Sequence, residues 1–140
     1  MGPDIAESEA EPPVVTDELR REFAPAAPVP AALRPAQPAQ LVGRWFPADG
    51  GSAAAPRQPF AELLADGRWS GSDGCNGQGG RWIAGAGGSL LAVAGPQTLI
   101  GCTGADVGGW LSNAPRAGFD GELLVLLNPA GKEVARLSRP

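Results

Sequence analysis

The chain has 140 residues, a formal net charge of −4 and no histidine. It therefore allows one domain and excludes Ser-His-Asp and Cys-His nucleophilic chemistry, together with the commonest metal ligand. Residues 1–40 hold seven acids against three arginines, whereas residues 41–140 hold eight acids and eight bases. The folded part thus lacks the basic stripe that nucleic acid requires.

Eight of the 15 prolines lie in residues 1–40 and 20 of the 21 glycines in residues 41–140, which places a boundary near Leu41. Residues 1–40 read as an acidic, Pro/Ala-rich tail or linker and residues 41–140 as the domain. Within the tail, Thr16 can cap a short helix running to about Phe23, with Asp17 and Glu18 in its first turn. Prolines at 25, 28, 30, 35 and 38 end it. Residues 24–40 then form a partly extended linker, or lie against the domain without secondary structure.

From Leu41 onward the pattern is one of short strands between turns. Strands are predicted at 42–46, 60–65 and 68–70, with Asp66-Gly67 as a hairpin turn. Further strands are predicted at 82–83, 90–94, 123–127 and 133–137, the last two joined by the Asn128-Pro129-Ala130-Gly131 turn. The only predicted helix of the domain covers 105–114, weakened by Gly108 and Gly109 at about 1 kcal/mol each. The fold class is α+β, mostly β: a small curved antiparallel sheet or partial barrel of about six or more strands with one short helix.

No window approaches the roughly 20 apolar residues of a membrane span. The N-terminus has neither the basic nor the apolar region of a signal peptide, and the chain as given reads as soluble. Two origins stay open: Met1 is native and the protein is cytoplasmic, or an export signal or lipid anchor once stood upstream and the protein belongs to the cell envelope.

Sites of known chemistry are hard to assemble. Cys75 and Cys102 lie 27 positions apart, a spacing unsuited to a four-ligand zinc site, and no metal is expected. Gly71 to Gly80 lacks the Gly-Lys-Ser/Thr ending of a phosphate-binding loop, and no cofactor is expected. Asp73 and Asn76 miss the spacing of a calcium loop and read as turn residues. Glu62, Asp66, Asp73 and Asp120 read as solvated charge rather than paired acid and base. Each of Trp45, Trp69, Trp82 and Trp110 reads first as core packing. Arg68 and Arg81 each precede a tryptophan and offer cations to the ring faces.

The run Gly71-Ser72-Asp73-Gly74-Cys75-Asn76, followed by Gly80 and the aromatic Trp82, resembles the central signature of the META (HslJ-like) family. Two further marks stand in order: Gly43-Arg44-Trp45 at the start, and Thr98 four residues before Cys102. The resemblance spans about 100 residues, from Leu41 to Arg139. Trp82 departs from the usual tyrosine or phenylalanine, and Gly108-Gly109 interrupt the helix. Membership implies a compact curved antiparallel sheet with one helix and no common catalytic activity. Relatives are small bacterial proteins, often envelope-associated lipoproteins and sometimes linked to stress.

The resemblance also sets Cys75 and Cys102 on neighbouring parts of the sheet, where a disulfide would stabilise by roughly 3 to 4 kcal/mol. The alternative is a pair of small buried hydrophobes. Trp69 and Trp82, if exposed beside the glycine loop, would form an apolar surface for a protein, peptide or small apolar ligand. The expected function is a non-enzymatic envelope or stress module that binds or supports a partner. A small inhibitor-like β-barrel using its N-terminal arm and a thiol-based redox protein are the alternatives.

Overall fold

A computed structural model of the chain describes residues 25–49, 57–95 and 104–140. The helix expected at 16–23 lies outside them. The described residues form β1 (Arg34–Pro35), α1 (Pro38–Leu41), β2 (Gly43–Pro47), β3 (Phe60–Leu63), β4 (Arg68–Ser72), β5 (Gly77–Ala84), a 3₁₀ turn (Ala86–Gly88), β6 (Leu90–Ala94), α2 (Val107–Ser112), β7 (Arg116–Asp120), β8 (Leu123–Leu127) and β9 (Glu133–Ser138). The strands make one antiparallel sheet in the order β1-β7-β8-β9-β2-β3-β4-β5-β6. No helix among the described residues is long and apolar enough to cross a membrane.

The hairpins arise where the sequence places them. Asp66 Oδ1 accepts from the Arg68 amide at 3.1 Å, and the Asp66 carboxylate pairs with the Arg68 guanidinium, closing the β3–β4 turn. Asn128 Oδ1 accepts from the amides of Ala130 and Lys132, each at 2.9 Å, and closes the β8–β9 turn. Strand β2 joins the two halves of the sheet. Its Trp45 pairs with Ala61 of β3, and its Phe46 with Ser138 of β9.

Alternation then decides what is buried. Ala61 and Leu63 of β3, Trp69 of β4, Leu90 and Ala92 of β6, Leu124 and Leu126 of β8 and Leu137 of β9 face one core with Val107 and Leu111 of α2. Trp45 sits at its centre, fully buried. Its indole N–H donates to the Leu41 carbonyl at 2.9 Å at the end of α1, so the large ring leaves no polar atom unpaired. The Arg139 guanidinium stacks 4.1 Å from its ring centroid.

Three expectations need correction. The sheet has nine strands among the described residues, consistent with six or more but larger than the seven segments predicted. Strand β7 escapes the periodicity reading because Gly118 breaks its alternation. The helix is Val107–Ser112, shorter than 105–114. Its two glycines answer to crowding: a Cβ on Gly108 would overlap the Gln78 side chain, and one on Gly109 would overlap the carboxylate of the capping Asp106. Asp106 Oδ1 accepts from the Gly109 amide at 3.1 Å.

The third correction moves the boundary. Residues 25–40 lie against the domain, one of the two options for this segment, and also contribute secondary structure of their own. Arg34 and Pro35 pair with Phe119 and Gly118 of β7, and Ala36 is buried in the core. Pro38 starts α1, whose first turn closes when the Gln37 amide donates to Gln40 Oε1 at 2.8 Å. Val29 and Leu33 stand against Gly118, on the face opposite the core. The cross-strand partner of Gly118 is Val125, so this segment covers the outer side of β7 and β8. That cover explains why Leu123–Leu127 is apolar at every position: a strand buried on both faces does not alternate.

Candidate functional site

The corner between β4 and β5 holds the most specific residues of the chain. Asp73 organises it. Its Oδ1 accepts from the amides of Cys75 at 2.8 Å and Asn76 at 2.6 Å, and its own amide donates to the Asn76 carbonyl at 3.2 Å. Gly74, between them, takes φ +101°, a conformation side chains rarely adopt. Its amide donates to Ser72 Oγ at 3.0 Å. Gly71 is needed for a different reason, since a Cβ there would overlap the Phe60 carbonyl of the adjacent strand. Asp73 therefore braces the turn, and Asn76 is the buried polar residue that it fixes.

Two outside segments bond to this corner. The Arg57 amide donates to the Gly74 carbonyl at 3.1 Å and the Ala105 amide to the Asp73 carbonyl at 2.9 Å. The run therefore anchors both the approach to β3 and the approach to α2. Cys75 is half-buried and is not a free thiol. Thr98 and Cys102 lie outside the described residues.

The other signature residues spread through the sheet. Gly43 opens β2 with the Arg139 guanidinium against it, and Trp45 fills the core. Gly80 lets β5 approach β6, for a Cβ there would overlap the Val93 carbonyl. Trp82 ties β5 to the β3–β4 turn: its indole N–H donates to the Leu64 carbonyl at 2.9 Å, and its amide to the Gly67 carbonyl at 2.9 Å.

Trp69 does not form the surface expected of it. It is 2% exposed, and its indole N–H donates to the Val93 carbonyl at 3.0 Å. Trp82 and Trp110 pack against the core. Among the described residues the cations over ring faces are Arg34 on Phe119, Arg44 on Phe60 and Arg139 on Trp45, rather than Arg68 or Arg81 on the tryptophans that follow them. Among the described residues the exposed large apolar ones are instead Ile83 at 66%, Leu91 at 61% and Val93 at 52%. Ile83 pairs with Leu91 and Arg81 with Val93 across β5 and β6, so the three form one stripe on the outer face. The signal for Leu91 and Val93 was present, because consecutive aliphatics in β6 must fall on both faces once Leu90 and Ala92 point inward.

Burial alone would push the Asp73 carboxyl up, but the amide donors of Asn76 and Cys75 outweigh it and hold the group below the ordinary carboxylate range. A lowered pKa means stability that is complete above the unfolded value of about 3.9 and is lost as pH falls through the folded value. Asp73→Ala is expected to cost about 2 kcal/mol at neutral pH by stranding two amides. The difference from the parent chain should shrink as pH falls below the unfolded value of about 3.9 and on through the lower folded one. Urea midpoints at both pH values check it, and a constant difference would refute the role given to Asp73.

No protein-family model, curated protein or solved structure matches this chain.

Proposed function

We propose that the chain is a non-enzymatic binding module of the META (HslJ-like) type, serving the cell envelope or a stress response, with the outer face of β5 and β6 as its contact surface. The observation that carries this reading is the exposed stripe of Ile83, Leu91 and Val93. It stands beside a signature whose own groups are consumed in holding a corner. The Asp73 carboxylate is spent on two backbone amides, and Gly71 and Gly74 answer to backbone geometry. Residues 25–40 are part of the domain's own packing, so they serve the module as structure rather than as an arm.

A photo-crosslinking residue placed at Ile83 tests the reading in cells. The expected result is a discrete adduct from position 83 and none from Glu122, an exposed residue between β7 and β8. The same adducts from both positions, or none from either, would overturn it.

The proposal extends to a Cys75–Cys102 bridge. Its support is that Cys75 is not a free thiol and that the chain has one other cysteine. Closing that loop contributes roughly 3 to 4 kcal/mol in the chain-entropy model. Thiol titration of the denatured, unreduced protein is expected to find no reactive thiol, and two thiols would remove the bridge.

A further inference from the structure

Two arginines, Arg34 and Arg139, are fixed in place without a carboxylate partner. Arg139 follows β9. Its Nη1 donates to the Val42 carbonyl at 3.2 Å and its Nη2 to the Gln40 carbonyl, while the guanidinium lies 4.1 Å from the Trp45 ring centroid. Gly43 leaves the space for it, since a Cβ there would stand 2.6 Å from that same Nη1. Gly43 and Trp45 of the N-terminal motif thus both serve to seat Arg139. Arg34 of β1 is held in the same manner. Its Nη2 donates to the Gly121 carbonyl in the β7–β8 turn at 2.8 Å, and the guanidinium lies 6.0 Å from the Phe119 ring centroid.

Both arginines line one recess of about 370 Å³ between α1, the β7–β8 turn and the end of β9, with Phe119 and Leu123 as its apolar wall. A guanidinium carries five N–H donors and no acceptor. Arg34 commits one nitrogen to the bonds described and Arg139 two, so donors remain on each. Neither forms an ion pair among the described residues, although Glu122 and Pro140 line the same recess.

We propose that this recess binds a small organic acid, whose carboxylate or phosphate oxygens take the spare donors of Arg34 and Arg139 and whose apolar body rests on Phe119 and Leu123. Three features select that class. A guanidinium keeps its charge at any ordinary pH and only donates, so its complement is an oxyanion. Holding a long side chain still ordinarily costs rotamer freedom on binding, whereas here backbone carbonyls and ring faces have already fixed both guanidinium groups. The volume lies at the small end of ligand sites, about 300 to 1,000 Å³, which suits a compact molecule rather than a protein surface. No residue of β5 or β6 lines the recess, so the inference goes beyond the contact surface proposed above and does not depend on it.

Titration of the isotope-labelled full chain with benzoate and with phenyl phosphate, at constant ionic strength and with the arginine Nε–H signals followed by NMR, tests the proposal. At least one probe is expected to move Arg34 and Arg139 saturably, with a Kd of about 1 mM or tighter, while Arg68 and Arg81 stay in place. The tighter of the two tells a carboxylate ligand from a phosphate one. Benzamide, similar in shape but uncharged, should move neither arginine. Because Arg139 also holds the end of α1, the informative variant is Arg34→Gln, expected to weaken binding about tenfold with the amide spectrum still that of a folded chain. Glu122→Gln, which removes a competing carboxylate from the recess, should tighten binding about twofold. A purely structural role for the arginines would give no saturable shift in any chain. That result overturns the proposal, as do an equal response to benzamide and equal shifts at Arg68 and Arg81. Inorganic phosphate bound as tightly as phenyl phosphate would remove the apolar contact with Phe119, and with it the ligand class.

Discussion

A chain shortened to residues 41–140 is expected to lose roughly 3 to 6 kcal/mol relative to one that begins at Pro25, enough to unfold it at ordinary temperature if the total is near the low end of about 5 to 15 kcal/mol. Val125 and Leu127 are 1% and 2% exposed. Both lie on the face of β8 opposite the core, the face on which Val29 and Leu33 stand against Gly118. Each such side chain returned to water costs about 1.5 to 3 kcal/mol. The cut also frees the edge of β7 where Arg34 and Pro35 pair, and it removes Ala36 from the core. Urea midpoints of the two chains check the expectation. Equal midpoints would show that residues 25–40 are dispensable cover.

The second large effect is expected at Gly80. A methyl group there would overlap the Val93 carbonyl oxygen and stand 2.9 Å from the Trp69 indole nitrogen, which itself donates to that carbonyl. The nearest obstacle is backbone, so β5 and β6 must part rather than a flexible side chain swing away. Overpacking of this kind costs about 1 to 3 kcal/mol, and stranding a buried indole N–H adds about 1 to 3 kcal/mol. Gly80→Ala should therefore lose about 3 kcal/mol or more. Gly77 begins the same strand with nothing within 4 Å of its would-be Cβ. Gly77→Ala is accordingly expected to stay within about 0.5 kcal/mol of the parent chain. Similar losses for the two variants would show that glycine matters here through strand propensity and not through the close approach to β6.

Both predictions concern groups that local patterns describe poorly. The hairpin turns at Asp66-Gly67 and Asn128–Gly131 are local: short side chains bond backbone amides two to four residues away, so their positions could be read directly. Strands β6 and β8 match the predicted bounds because aliphatic runs between turn residues have few other uses. The corner at residues 71–76 was legible for the same reason, although the choice of Asp73 as its brace needed geometry. Strand β7 was hidden because Gly118 makes room for Val29 and Leu33, residues some 85 to 90 positions earlier in the chain. Nothing near Gly118 in sequence marks that contact.

The surface assignment turned on the same difference. Trp69 and Trp82 are the largest residues near the glycine run, and size alone does not say which way a ring points. The structure sends Trp69 inward, onto the Val93 carbonyl, and leaves Ile83, Leu91 and Val93 outside.

What the sequence by itself determined was the β-rich class, the two hairpin turns, the glycine corner and the absence of histidine chemistry, all of which depend on residue type and short-range bonding. Only the tertiary structure decided that residues 25–40 belong to the domain, that β7 exists beside them, and which apolar residues face water. Those outcomes depend on contacts between distant segments, whose free energy appears only once the sheet has curled and both faces of β8 have been covered.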